Sequence, residues 1–422
     1  MGDLSQKRLI VTGATGYIGS RLCDIAREQG AELIVLGRRP SVQDGLKFIP
    51  FELGQDLDPE IFSNIDAVIH LAAAGLDDES AQDLNIVGSK KLIAAAKAAG
   101  IKNFVYISSQ SAKADAPTKY GRDKWAVEQF FSSEYGTILR PGFVYGGEER
   151  GTYGSLCGLL KTFPVLPIIG ADEPVQPIYL DTLCEAILAA SLLPSAKGQT
   201  FDLGASVPLR FEAFLKRLAA AKYSRRAHIM KIPLSLALAL AGLCRILPGL
   251  PNISSDRLQG LQNISVMETA DDMAALGLGF VALEQPLFEE GGEAPSRLQD
   301  EGAVLLNYII GKRPSAALVD RYAAAHLAIG DYRALVLPAM VKRLPGLLRF
   351  MDPIKKNGDE PGLLADRLEI AARLAEASPD HVGQFMNLRR RSLISVGLTL
   401  IYVGVIEVLT FPFRALFSRS DL

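Results

Sequence analysis

The sequence predicts an α/β fold built on a doubly wound parallel sheet, followed by a helical extension that ends in a membrane-anchoring helix. Three features of the 422 residues carry that expectation. Short apolar, β-rich runs alternate with helical stretches from Arg8 to about Gly204; three glycines spaced three apart follow the first run; and Leu393–Phe413 is almost free of charge. Strand–helix alternation with near-continuous apolar strands indicates a parallel sheet covered on both faces.

Taken in order, Arg8–Thr12, Glu32–Gly37, Lys47–Phe51, Ala67–Leu71, Asn103–Ser108 and Gly136–Arg140 read as strands. Ile18–Gln29, Asn85–Ala99 and Tyr120–Glu134 carry apolar residues at helical spacing and read as helices. The sheet-bearing core covers about 7–204, and a less regular segment, rich in Pro and Gly, runs from Gly142 to about Glu290. Inside it, Leu234–Leu243 is too short to cross a bilayer and reads as a core or interfacial helix.

Residues 293–390 read as a helical extension, with Leu364, Leu368, Ala371 and Ala375 on one apolar stripe. Arg333–Lys356 mixes Leu, Met and Phe with Arg333, Lys342, Arg343, Arg349, Lys355 and Lys356. That pattern fits a helix lying on an anionic membrane, and equally a packed helix pair with a solvated basic face. Leu393–Phe413 holds 21 residues and one charge, Glu407, behind Arg389-Arg390-Arg391. At about 1.5 Å per residue it reaches roughly 31 Å, the thickness of a bilayer core. The arginines place the globular part on the cytoplasmic side of a membrane, a bacterial inner membrane or its equivalent. A buried terminal helix or an in-plane anchor is the alternative.

Composition narrows the function classes. Apolar residues make up 49% and charged residues 22%, which excludes a disordered or low-complexity chain. With 45 basic and 47 acidic side chains, no broad basic field for nucleic acid is expected. Cys23, Cys157, Cys184 and Cys244 are scattered and the four histidines lie far apart, so neither a disulfide framework nor a metal site is expected. No charged-then-apolar leader precedes Arg8, and Ser5 stands one place too early for a myristoylation signal at Met1-Gly2.

The chemistry begins at the first strand. Gly13, Gly16 and Gly19 follow it directly and open a helix. The first glycine permits a tight turn, the second lets backbone approach a pyrophosphate, and the third lets helix and sheet pack closely. The end of the second strand selects the dinucleotide. It reads Leu36-Gly37-Arg38-Arg39, with no carboxylate to bind a ribose 2′-hydroxyl and two guanidinium groups suited to a 2′-phosphate. NADPH is therefore expected over NADH.

Five segments and Asn85 together carry a family resemblance: Thr12-Gly-Ala-Thr-Gly-Tyr-Ile-Gly19, Asp66-Ala-Val-Ile-His-Leu-Ala-Ala73, Val105-Tyr-Ile-Ser-Ser109, Tyr120-Gly-Arg-Asp-Lys124 and Leu139-Arg-Pro-Gly-Phe-Val-Tyr-Gly146. They resemble the extended short-chain dehydrogenase/reductase family, also called the NAD-dependent epimerase/dehydratase family, over about residues 7–290. Leu183–Leu188 after Asp181, and Ala270–Gly279 ahead of Leu283-Glu-Gln-Pro, look like the atypical branch that contains the nucleotide-binding accessory subunit of respiratory complex I. The resemblance implies a Rossmann-type unit over 1–292, with a small substrate domain from segments about 142–180 and 205–292. It also implies cofactor contacts from Gly13, Thr15, Gly16, Tyr17, Ile18 and Gly19, and from Glu52 and Leu53 near the adenine. Leu71, Ala72 and Ala73 would line the ribose–phosphate path, with Lys124 and Pro141 near the nicotinamide end.

Tyr120 and Lys124 stand four apart on a helix and face one side. A phenol with an ordinary pKa near 10 is a poor base, and a neighbouring ammonium is expected to lower it. The phenol can then exchange a proton with a substrate oxygen while nicotinamide exchanges hydride. By the resemblance, Ser109 is the hydroxyl that orients that oxygen and Asn85 supports the proton path. Two departures stand out. Ser109 and Tyr120 are only 11 positions apart, and Glu173–Asp181 lacks the Arg that sugar-nucleotide enzymes use on a diphosphate, with Gln176 in that neighbourhood. His70 reads as a structural histidine and Arg140 as a structural arginine, while Tyr145 and Tyr153 suit either a pocket or the core.

Two functions follow. One is a membrane-associated, NADPH-dependent oxidoreductase acting on the carbonyl or alcohol of a lipophilic small molecule. The other is a non-catalytic, NADPH-holding accessory subunit whose helical tail docks on a membrane complex.

Overall fold

A computed structural model describes residues 4–40, 46–73, 81–163, 165–223, 227–233, 265–279, 281–291, 294–329, 334–351 and 363–379, with Ile401 and Val405. The chain forms two compact units, one of residues 1–217 and 227–286, the other of 218–226 and 287–422.

In the first unit β1 (Arg8–Thr12), β2 (Glu32–Gly37), β3 (Lys47–Pro50), β4 (Ala67–His70), β5 (Asn103–Ile107) and β6 (Thr137–Pro141) form the main sheet. Short strands follow: β7 (Phe143–Tyr145), β8 (Val165–Ile168), β9 (Pro174–Val175) and β10 (Pro177–Tyr179). Then β11 (Thr200–Leu203) returns to the main sheet, ahead of β12 (Leu209–Arg210) and β13 (His228–Lys231). The order is β11-β6-β5-β4-β1-β2-β3, and every pairing within it is parallel. This is the Rossmann-like sheet expected from the sequence.

The strands are apolar on both faces because both are covered. Leu9 and Val11 of β1, Ala67 and Ile69 of β4, and Val105 and Ile107 of β5 enter one core. It contains α1 (Tyr17–Glu28) through Leu22, Cys23 and Ala26. Ile10, Val68, Phe104 and Tyr106, at the alternate positions, enter the other core with Leu92 and Ile93 of α2 (Ala81–Ala98) and Val127 of α3 (Lys119–Glu128). The period-two alternation of strand side chains divides one apolar run between two cores. α4 (Gly151–Thr162) and α5 (Leu180–Leu192) complete the helices on which the site depends.

The structure shortens one helix. The expected Tyr120–Glu134 ends at Glu128, and Ser132 bridges to Tyr135 beyond it. The chain turns early to bury Phe131, whose ring lies 5.7 Å from Phe104 and 5.6 Å from Tyr106. Gly136, at φ 77°, makes that turn where a Cβ would sit 2.4 Å from the Phe131 ring. Strand β11 was absent from the expected set. Its Thr-Phe-Asp-Leu sequence lacks a continuous apolar run because it lies at the sheet edge.

The second unit contains helices Ala294–Ile310, Ala316–Ala328, Ala339–Arg343 and Leu363–Glu376. The expected stripe of Leu364, Leu368, Ala371 and Ala375 is buried in a core shared with Leu305, Leu318, Tyr322, Leu335, Val341 and Leu348. One carboxylate enters this core. Glu301 accepts hydrogen bonds from the Tyr322 hydroxyl and the Leu335 N–H, and its Oε1 lies 3.6 Å from Nε of the buried Arg367. A buried charge is tolerated only when matched in this way.

Among the described residues, no helix is long and apolar enough to cross a membrane. The runs 393–413 and 234–243 lie outside the described residues, apart from the exposed Ile401 and Val405.

Candidate functional site

Because the main strands are parallel, their carboxyl ends share one edge, and the connections leaving it carry the residues singled out above. Strand order reverses between β1 and β4, the place where a doubly wound sheet opens a crevice for ligand.

Gly13 leaves β1 at φ 76°, and a Cβ there would stand 2.8 Å from the Ala72 nitrogen and 2.9 Å from the Leu71 carbonyl carbon. Only glycine lets the turn pass that close to the strand beside it. A Cβ on Gly19 would stand 2.2 Å from the Gly13 carbonyl oxygen, so the third glycine brings α1 onto the turn. Gly16 caps α1 in an extended conformation and offers no side-chain cap. The N-terminus of α1, beginning at Tyr17 and Ile18, carries the positive end of the helix dipole and favours an anion. The cradle fits a dinucleotide pyrophosphate.

Thr15 of this turn lines a cavity of about 330 Å³ together with Arg38 and Arg39. Both arginines are exposed beyond the end of β2. The two guanidinium groups named from sequence thus share one opening with the glycine turn. Glu52 is exposed just past β3, and Leu53 packs on the core beside it. Leu71, Ala72 and Ala73 leave β4; Ala73 is exposed, and the Ala72 N–H donates to Thr12 Oγ1 at 3.2 Å. Pro141 is buried at the end of β6, where its carbonyl accepts from the Gln110 N–H at 3.0 Å.

A buried polar chain stitches the switch point. Thr12 Oγ1 lies 2.7 Å from His70 Nδ1, and His70 Nε2 lies 2.9 Å from Ser89 Oγ. Burial, aided by the Lys124 charge, pushes the His70 pKa down to about 3. The ring is neutral and structural, as the sequence suggested.

The second cluster leaves β5. Ser109 follows that strand; its hydroxyl lies 3.0 Å from Ser111 Oγ and is the neighbour that favours the ionised Tyr120 phenol. Tyr120 is the second residue of α3, whose N-cap Thr118 accepts from the Gly121 N–H at 3.1 Å. Gly121 sets the approach. A Cβ there would stand 2.4 Å from the Ser111 carbonyl oxygen and 2.7 Å from Ala116 Cβ, so its absence lets α3 close on the serine loop. One turn later Lys124 is buried, donates from Nζ to the Ile107 carbonyl at 2.6 Å and lies 5.8 Å from the Tyr120 ring centre. Asn85 lies in the first turns of α2, half-buried and off the same edge.

The electrostatics correct one expectation. Lys124 was expected to draw the Tyr120 pKa down, yet burial pushes it up, with only Ser109 opposing. The ammonium spends its short hydrogen bond on a backbone carbonyl, and desolvation lowers its own pKa to about 8 against the pull of Glu128. At neutral pH the site therefore holds a protonated phenol above a cationic lysine. That pairing can donate a proton to a carbonyl oxygen.

Neighbouring residues hold this arrangement. Arg140 makes a two-pronged pair with Glu128 of α3 at 2.9 and 2.6 Å, and Ser108 donates to the same carboxylate at 2.5 Å. Gln176 is fully buried. Its Nε2 donates to the Ala205 and Met267 carbonyls at 2.9 Å each, and its Oε1 accepts from the Met267 N–H at 2.7 Å. An amide committed to three backbone groups is not a diphosphate ligand. Tyr145 packs edge-on against Phe214, and Tyr153 stacks on Tyr17, so both are core residues.

Arg150 was not singled out from sequence. It donates to the Thr15 carbonyl at 2.7 Å and lies 3.4 Å from Ser20 Oγ, a third guanidinium beside the glycine turn. No spacing rule marks it, because the fold alone brings the segment after β7 to α1.

Comparison with known proteins places these residues in a family. Residues 9–152 match the family model described as "NAD dependent epimerase/dehydratase family". A UDP-glucose 4-epimerase of Klebsiella pneumoniae is 34% identical over 131 residues, 26% of this chain and 94% of that protein. The mitochondrial "NADH dehydrogenase [ubiquinone] 1 alpha subcomplex subunit 9" of Dictyostelium discoideum is 22% identical over 245 residues, 53% of this chain and 66% of that protein. A 4-hydroxy-2-methyl-3-oxo-4-farnesyl-3,4-dihydroquinoline-1-oxide ketoreductase of Stigmatella aurantiaca is 24% identical over 267 residues, 56% of this chain and 79% of that protein. The chain thus spans just under two thirds of the complex I subunit's length.

Proposed function

Since this chain belongs to the NAD dependent epimerase/dehydratase family, we propose that it is an NADPH-dependent oxidoreductase that reduces the carbonyl of a lipophilic small molecule at the cytoplasmic face of a membrane. The observation that carries the reading is the Tyr120 ring 5.8 Å from the buried Lys124 ammonium, whose hydrogen bond to the Ile107 carbonyl fixes it at the end of β5 beside Ser109. When bound, the dinucleotide supplies the hydride. Tyr120, kept protonated by burial, donates the proton to the substrate oxygen, and Ser109 orients that oxygen. Lys124 holds positive charge beneath the phenol as the proton leaves. The commitment of Gln176 to backbone argues against a nucleotide-sugar diphosphate, and the ketoreductase relative acts on a farnesylated carbonyl compound. The test is NADPH consumption by the purified full-length protein across apolar ketones, with conversion of UDP-sugars followed in parallel by product analysis. Turnover of UDP-sugars alone sinks the substrate class.

NADPH preference rests on Arg38 and Arg39 at the cavity shared with Thr15. Charge-assisted hydrogen bonds to a phosphate stabilise by about 1.5–3 kcal/mol, so replacing both arginines with Ala should weaken NADPH binding roughly 10–100-fold. NADH affinity should hardly move. Equal losses in fluorescence titrations with the two dinucleotides would refute the preference.

Membrane attachment is assigned to Leu393–Phe413, an apolar run behind three arginines. The full-length chain should stay in carbonate-washed membranes, and a chain cut after Met386 should be released while still binding NADPH. Carbonate release of the full-length chain removes the span.

The second reading is a non-catalytic, NADPH-holding accessory subunit of a membrane complex. Similarity to the complex I subunit favours it. Co-purification with membrane subunits, without turnover of any carbonyl compound, would select it.

A further inference from the structure

The helical unit turns an unusual surface outward. In the short helix Ala339–Arg343 and the turn Pro345–Phe350, Val341 and Leu348 point into the core, at 4% and 0% exposure. Met340 and Leu344, in contrast, are 67% and 60% exposed, although both are large and apolar. They stand four apart, and of the three residues between them Val341 is buried while Lys342 and Arg343 are exposed cations. Across residues 334–351 there are three cationic side chains and no carboxylate.

We infer that Met340, Lys342, Arg343 and Leu344 form a docking surface for an anionic lipid bilayer. Each component has a counterpart in such a surface. The thioether and isobutyl groups enter the headgroup–acyl boundary, where their exposure to water ends. Lys342 and Arg343 lie with their stems along that boundary and their charged ends at lipid phosphates. Lys342, Arg343 and Arg349, with no Asp or Glu between residues 334 and 351, supply the positive charge that an anionic surface attracts. The segment shares no residue with the terminal apolar run or with the dinucleotide site, so the inference stands whether or not the chain is an active reductase.

The test places a solvatochromic dye on the full-length chain at Met340→Cys, in a Cys244→Ser background. Cys23, Cys157 and Cys184 are buried, and burial pushes the Cys23 thiol up to about 12, so they stay unlabelled. The protein is added to phosphatidylcholine vesicles with or without phosphatidylglycerol. The dye emission should shift to the blue with phosphatidylglycerol only. Lys342→Gln with Arg343→Gln should lower the vesicle partition constant read from the dye roughly 30-fold, on the scale of surface-bound basic residues. All four positions are on the surface, so none of these replacements enters the core. A dye at Val207→Cys, a 70% exposed position of the other unit, should not shift. An equal shift on pure phosphatidylcholine, no shift on either vesicle, or indifference to the double replacement overturns the inference. Carbonate fractionation reads the tail and the dye reads this surface, so each can fail alone.

Discussion

Replacing Tyr120 with Phe should lower carbonyl-dependent turnover by roughly 10²–10⁴-fold, the usual contribution of a positioned acid. Dinucleotide affinity should stay within a factor of two or so, since no residue of the glycine turn contacts the change directly. Phe keeps the ring over Lys124 and the start of α3, and removes only the phenolic oxygen beside Ser109. Stopped-flow hydride transfer and equilibrium NADPH titration on the same preparation separate the two quantities. Full turnover in the variant would remove the catalytic role and leave the accessory-subunit reading standing.

The second large effect is expected at Gly13. Replacing it with Ala should cost at least about 3 kcal/mol of stability and abolish dinucleotide binding. Part of that cost is conformational, because the backbone is at φ 76°. The larger part is steric, since the new methyl would press on the main chain of Leu71 and Ala72, which cannot rotate away. Gly16 provides the contrast. Its φ is −75°, and the nearest atom to a Cβ there is the Gly13 oxygen at 3.1 Å. Gly16→Ala should fold normally and lose only binding, because its methyl would stand at the helix cap where a phosphate approaches. Denaturant titration and NADPH fluorescence on both variants check the pair. A Gly13→Ala protein as stable as its parent would show that β1 and β4 can part more easily than their packing implies.

The sequence was most informative where backbone geometry restricts residue choice. Gly13, Gly16 and Gly19 were legible because few conformations need glycine at that spacing after a strand, and Tyr120 with Lys124 because helical pitch alone puts them together. Arg38 and Arg39 were legible by what they replace. Arg150 was invisible, since its link to Thr15 crosses 135 positions and depends on the return of the chain after β7. The direction of the Tyr120 shift was also out of reach. Local spacing shows that an ammonium is near, but burial and the Ile107 carbonyl that engages it belong to the tertiary fold. The end of α3 was missed for a related reason: propensity alone continues the helix, and the docking of Phe131 on Phe104 stops it.

Gly121 has a consequence beyond packing. It carries no group that could bind, donate or ionise, yet the clearance between its α-carbon and the Ser111 oxygen sets how near the phenol comes to its serine. The reactive spacing is therefore gauged by an empty volume the size of a methyl. A hydrogen bond can stretch and re-form, whereas a filled gap forces helix and loop apart as rigid bodies. Among relatives sharing the tyrosine and lysine, the occupant of this one position would then separate working sites from vestigial ones, even where every chemical group survives.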